Sequence, residues 1–176
     1  PLASSSIGFQ MVGLDQIAPG VFAPFRWSGT SQSRIALPYN NLNAIPVGIN
    51  SAGRYIATDR PSTATSCGYA SWKGTLRPLS TNRQSRVGAM SEDSTKIFGF
   101  DTGPGLDAII MWTTTNTPRP VAYTGDVDVL SIAGCSADGV VIVGDGFSPS
   151  AGRRAWVCNH AAASFKPLAA ALAQQF

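Results

Sequence analysis

The stretch SIAGCSADGVVIVGDGFSPSAGRRAWVC, residues 131–158, reads as one unit of a repeating β structure. It opens on a short apolar strand and turns at Ser136-Ala137-Asp138-Gly139. In such a turn small polar side chains bond nearby backbone and glycine accepts a positive φ. Asp138-Gly139 also suits a hairpin. The run Val140-Val141-Ile142-Val143 follows and ends at Gly144. Its unbroken β-branched character predicts a strand buried on both faces. A Gly/Ser/Pro loop and a third strand, Trp156-Val157-Cys158, complete the unit.

Three poorer copies precede it. SSIGFQMVG (residues 5–13), NSAGRYIAT (50–58) and SEDSTKIFG (91–99) align with SADGVVIVG (136–144). The turns close at Gly8, Gly53, Ser94 and Gly139, at intervals of about 44 residues. About 14 residues beyond each strand end stands Trp27, Trp72, Trp112 or Cys158, the last in the place of a tryptophan. A fourth segment carries Leu and Pro: Ile35-Ala36-Leu37-Pro38, Leu76-Arg77-Pro78-Leu79, Pro120-Val121-Ala122 and Phe165-Lys166-Pro167-Leu168. Proline belongs at a sheet edge, so these segments are expected as outer strands. Four strands per roughly 44 residues mark a propeller blade. The sequence therefore predicts an all-β, β-propeller-like array of four four-stranded repeats in one domain, at about residues 1–44, 45–85, 86–130 and 131–176. A β-sandwich with coincidental spacing is the competing architecture. The tail after Leu168, AAALAQQF, predicts a short helical cap with Leu172 and Phe176 facing inward.

Composition agrees. Charged residues are 13% of the chain, against roughly 25% in ordinary domains. Eighteen glycines and twelve prolines favour short strands and many turns over long helices. Thirteen basic and ten acidic residues are spread along the chain without a basic cluster, so no nucleic-acid partner is expected. No apolar run is long enough to span a membrane. The N-terminal PLASSSIG has no positive segment ahead of an apolar core, so no secretory leader is visible, and Pro1 fits loss of an initiator Met as well as trimming. Cys67, Cys135 and Cys158 are odd in number and lack CxxC spacing. They are expected as buried free thiols, outside any disulfide framework or zinc site.

The repeats resemble the bacterial extracellular HAF-type repeat family, whose units follow G-x-S-x-D-G-x-x-V-V-G … A-F-x-W … L. The likeness rests on Gly134-Cys135-Ser136-Ala137-Asp138-Gly139, the run from Val140 to Gly144, and the aromatic third strands. It spans the chain diffusely, best in the fourth repeat and worst in the first. The His of the family name is missing, the Phe position varies, and Cys158 replaces Trp. The resemblance implies a propeller-like fold of secreted, surface or autotransporter-associated proteins without an assigned enzyme activity.

Catalytic motifs are scarce. His160, the single histidine, sits in Asn-His-Ala-Ala and is expected as a surface-loop residue. No GxSxG elbow, HExxH, Walker loop or dinucleotide fingerprint occurs. Asp101-Thr102-Gly103 resembles the triplet of an aspartic-protease lobe, but it occurs once and is followed by Gly-Pro-Gly. Asp126, Asp128 and Asp145 offer oxygen ligands to Ca²⁺, yet Asp at strand entries is ordinary turn chemistry. No catalytic residue, metal or cofactor is therefore expected.

Function is expected in the loops between second and third strands, since loops on rigid β scaffolds are where recognition resides. These loops, residues 14–19, 59–66, 102–106 and 145–152, are placed on one face of the ring. In or beside them stand Asp15, Gln16, Asp59, Arg60, Asp101, Asp107, Arg153 and Arg154, a candidate rim for a glycan or a protein partner. The reading is a non-enzymatic recognition or assembly module, extracellular, at a cell surface or in a virion as a phage tail or head-decoration component. The alternative is a glycan-active enzyme with two loop carboxyls about 5–10 Å apart. Repeat units cannot bury their faces alone. Four units must close a ring by themselves or self-associate to complete one.

Overall fold

The computed structural model describes residues 3–4, 10–28, 31–34, 44–59, 68–72, 75–79, 85–101, 109–113, 118–121 and 128–173. Four antiparallel four-stranded sheets follow one another along the chain. The first holds β1 (Ala3–Ser4), β2 (Gln10–Ala18), β3 (Val21–Ser28) and β4 (Ser31–Arg34). The second holds β5 (Ala44–Ile49), β6 (Tyr55–Asp59), β7 (Gly68–Trp72) and β8 (Thr75–Pro78). The third holds β9 (Ser85–Met90), β10 (Lys96–Asp101), β11 (Ile109–Thr113) and β12 (Pro118–Pro120). The fourth holds β13 (Asp128–Cys135), β14 (Val141–Ser148), β15 (Gly152–Asn159) and β16 (Ser164–Pro167). Each sheet is an up-and-down meander with strands in sequence order, which is the blade of a β-propeller. Strands β8, β12 and β16 carry their expected prolines at sheet edges, where a missing N–H costs no ladder bond. In the first blade the outer strand β4 has none, residues 35–38 lie outside the described residues, and Pro24 stands within the sheet on β3.

The first strands of the second, third and fourth blades converge on one cavity. Residues of β5, β9 and β13, among them Val47, Arg86, Leu130 and Ala133, surround a central opening of about 390 Å³. Each of these strands carries a bulge where its neighbour steps one residue out of register: between Pro46 and Gly48, around Gly88, and between Ile132 and Gly134. The three bulges fall at the same repeat position. A bulge sharpens local twist, so its recurrence bends β5, β9 and β13 alike.

Adjacent blades share cores. Ile56 and Leu79 meet Val87, Ile97 and Trp112 between the second and third blades. Ala89, Phe98, Phe100 and Ile109 meet Val129, Ile132, Ile142, Trp156 and Cys158 between the third and fourth. Full burial of such side chains is worth about 1.5–3 kcal/mol each. Ile142 faces backward onto the third blade and is fully buried, whereas Val141 and Val143 face forward and are half-buried. The expected double-sided burial of that run is corrected accordingly: period-two alternation gives Val141 and Val143 the uncovered face. Cys158 pairs with Ile142 as Trp112 pairs with Ile97, so the thiol stands at the aromatic position. In the second blade Ala70 stands opposite Ile56, and Trp72 lies two residues beyond that position.

Gly144 is required by close approach. A Cβ there would lie 2.1 Å from the Ser131 carbonyl oxygen and 2.4 Å from Trp156 Cζ2. Past β16, α1 (Leu168–Ala173) packs on β15 and β16 and buries no residue. Leu172 is exposed, contrary to expectation, because the short helix lies on the outer strands and does not reach the core. Phe176 lies outside the described residues, as does Cys67.

Candidate functional site

The repeated turns define one face of the array. Gly53, Ser94 and Gly139 all take positive φ, at 74°, 61° and 64°. In the fourth blade Ser136 Oγ donates to Asp138 Oδ1 at 2.6 Å and accepts from Val141 N at 2.9 Å, while Asp138 Oδ1 accepts from Val140 N at 3.0 Å. Ser91 and Asp93 repeat this in the third blade. These bonds, the serine hydroxyl foremost, hold the Asp93 and Asp138 carboxyls below their ordinary range. Asp138 is a turn residue.

Successive turns are stitched together. Asn50, 2% exposed, donates from Nδ2 to Glu92 O at 2.8 Å and to Ser94 Oγ, and accepts from Arg54 N at 3.0 Å. Glu92 N donates to Ala137 O at 2.8 Å, and Lys96 Nζ to Asp138 O at 2.6 Å. His160 stands in the turn after β15, as expected, but is half-buried: Nε2 meets Gly139 O at 2.8 Å and the ring lies 5.7 Å from Phe98. Because these turns share one face, the far ends of β6, β10 and β14 emerge on the other. That is the expected rim.

The rim's local structure differs from expectation in the outer blades. Residues 14–18 are strand, not loop: Asp15 pairs with Ala23 and Gln16 with Phe22, and only Pro19-Gly20 turns. In the fourth blade Gly146 pairs with Arg154 and Phe147 with Arg153, leaving a turn at residues 149–151. The Gly/Ser/Pro composition marked turns correctly but overstated their length, because the β14–β15 ladder runs on through Gly146 to the Ser148–Gly152 pair. Asp59 and Asp101 end β6 and β10, with Asp59 paired to Ala44 and Asp101 to Ser85. Arg60 and Asp107 lie outside the described residues, as do the side chains of Asp59 and Asp101.

Alternation along β15 separates the two arginines. Arg153 Nε donates to Asp145 Oδ2 at 2.6 Å, and the Ser131 hydroxyl donates to Asp145 Oδ1. The serine bond and then the guanidinium hold the Asp145 carboxyl below its ordinary range. Arg154 points to the opposite face, where its Nε donates to Ala151 O at 3.1 Å. Among the described residues no carboxylate pairs with it. Beside it a cavity of about 240 Å³ opens between Ser148, Ser150, Trp156, Phe165 and Pro167. Trp156 is 1% exposed and its Nε1–H has no acceptor. An unmet buried donor costs about 1–3 kcal/mol. Phe165 stacks on the indole at 5.2 Å.

Apolar side chains that sequence reasoning missed also stand on this rim: Ile17, Val21 and Phe22 on the first hairpin, and Phe147 on the fourth, are exposed. Their signal was the alternation itself, continued past the point where a loop was expected. Burial pushes the Cys135 thiol up to about 11 and raises Cys158 as well. The described residues contain no group of three His, Cys, Asp or Glu side chains that could hold a metal ion, and no helix long and apolar enough to cross a membrane.

No protein-family model matches the chain, and no curated protein matches it by sequence. Solved structures do. The chain is similar to a putative TolB from Agrobacterium tumefaciens (TM-score 0.67, 17% identity, covering 94% of this chain and 59% of that one). It is similar to TolB from Acinetobacter baumannii (TM-score 0.70, 12% identity, 94% and 42%). It is also similar to the β-propeller domain of the trilobed protease from Pyrococcus furiosus (TM-score 0.58, 13% identity, 92% and 52%). The chain spans about half the length of these proteins. What they share with it is the fold: a β-propeller, of which this chain supplies four blades.

Proposed function

We propose that the chain is a non-enzymatic recognition and assembly module whose outer blades are completed by further blades, supplied by a second copy. One observation carries this reading. Trp27 and Trp112 hold the same position, opposite Met11 and Ile97, yet Trp27 is 38% exposed where Trp112 is fully buried under the second blade. The open backward face of the first blade thus keeps the apolar residue of an interblade contact. The open forward face of the fourth keeps Val141, Val143 and Val157. Faces of this composition are stabilised by being covered.

The similar structures include a TolB, a protease propeller and an oligogalacturonate lyase in complex with manganese, so the fold selects neither binding nor catalysis. Binding is favoured by the rim, where Asp145 is already engaged by Ser131 and Arg153 and is no poised acid or base. The setting proposed is extracellular, at a cell surface or in a virion, in keeping with the low charge and the HAF-type resemblance. Sedimentation equilibrium tests the assembly. A dimer that Trp27→Arg dissociates is expected, and a stable monomer at high concentration overturns it.

A further inference from the structure

The cavity beside the β14–β15 hairpin combines four properties. Arg154 is anchored by its Nε on the Ala151 carbonyl, and no described residue neutralises it, unlike Arg153 beside Asp145. A guanidinium held this way matches a planar oxyanion. Trp156 is 1% exposed and lines the cavity with its ring, its Nε1 sealed from solvent. The Ser148 and Ser150 hydroxyls, 2.9 Å apart, add groups able both to donate and to accept. Phe165, stacked on the indole, and Pro167 supply an apolar wall. The lining offers donors and apolar surface, with no carboxylate among the described residues. At about 240 Å³ the space lies below the roughly 300 Å³ at which drug-sized sites begin, and suits one ring.

We infer that this cavity binds a single acidic sugar unit, its carboxylate on Arg154, its hydroxyls on Ser148 and Ser150, and its ring against Trp156, Phe165 and Pro167. This deepens, and rests on, the reading of the rim as a recognition surface. Neutral sugars leave the guanidinium without a counter-charge, and simple carboxylates leave the serines unused. Discrimination therefore requires both features in one ligand.

The test uses ¹⁵N-labelled protein and the indole N–H resonances of its four tryptophans, the Trp156 signal being assigned by its loss in Trp156→Phe. Titration with glucuronate is expected to move that signal saturably. Glucose and acetate are expected to bind at least about tenfold more weakly, and Arg154→Gln to lose at least about tenfold in glucuronate affinity. Arg154 is exposed, so that variant keeps the fold and an unchanged free spectrum. A Trp156 signal that glucuronate leaves in place overturns the inference. So does an equal shift in Arg154→Gln, or an equal response to glucose or acetate. Sedimentation reads different surfaces, so the cavity and the assembly can fail independently.

Discussion

The third blade and the first are built from the same strands and differ in what covers them. Trp112, on the backward face of the third blade, touches Ile56 and Leu79 of the second and is fully buried. Trp27 has the same ladder partner position and is 38% exposed. The fourth blade repeats the contrast on its forward face. Phe98 and Phe100 are covered there in the third blade, while Val143 and Asp145 are half-exposed in the fourth. The exchange of Phe100 for Asp145 shows that the fourth blade's face is partly adapted to water. Trp27 shows that the first blade's face is not. A blade's fold comes from its own ladder, but its stability comes from its neighbours.

The sharpest way to break this comparison is to truncate both tryptophans. Trp112→Ala is expected to cost about 3–5 kcal/mol in denaturant unfolding, because it opens a cavity between two blades. Trp27→Ala should cost about 1 kcal/mol or less at concentrations where the chain is monomeric. Equal costs would mean that the two positions are equally covered in solution.

A second, smaller effect concerns the close approach at the end of β14. Gly144→Ala should lose about 1–3 kcal/mol by overpacking against Trp156 and the Ser131 carbonyl. An unchanged melting temperature would show that the bulged first strand yields freely.

The turn stitching separates covered from terminal blades again. Asn50→Ala removes bonds to Glu92 and Ser94 of the next blade, and about 1–2 kcal/mol is expected from the loss. Ser136→Ala removes bonds within its own turn only, at about 0.5–1 kcal/mol. Thermal melts of the two variants side by side check the order.

The smallest expected effect is on pH. The Asp145 carboxyl binds its proton more weakly folded than unfolded, so its contribution is present above the unfolded value of about 4 and fades as pH falls through the lowered folded value. Its pair with Arg153 is near the surface, so the acid limb should amount to less than about 1 kcal/mol. Asp145→Asn should flatten that limb between pH 5 and 3, about the range where free and paired carboxyls titrate. An identical pH profile would remove the pair from any role in the fourth blade.

Much of this was legible in the chain, because short-range physics writes it there. Turn residues at Gly53 and Gly139 need positive φ, and Ser94 takes the same conformation without being glycine, so spacing identified it where residue type did not. Prolines marked the outer strands of the second, third and fourth blades, and Cys158 was recognisable as a replaced aromatic. The rim was only half legible. Asp15, Arg153 and Arg154 were placed near the correct end of their blades, but which arginine is neutralised depends on strand alternation across β15 and on Ser131 from another strand. The bulges near Val47, Gly88 and Ala133 left no composition signal, since a register step is set by the neighbouring strand.

The sequence by itself determined four antiparallel blades, their order and their turns, because turn chemistry and alternation act over a few residues. Tertiary structure alone decided which faces are covered, which arginine meets a carboxylate, and that Trp156 holds an unmet donor beside a cavity. Those properties depend on groups that meet only when separate strands and blades pack together, and no local pattern records them.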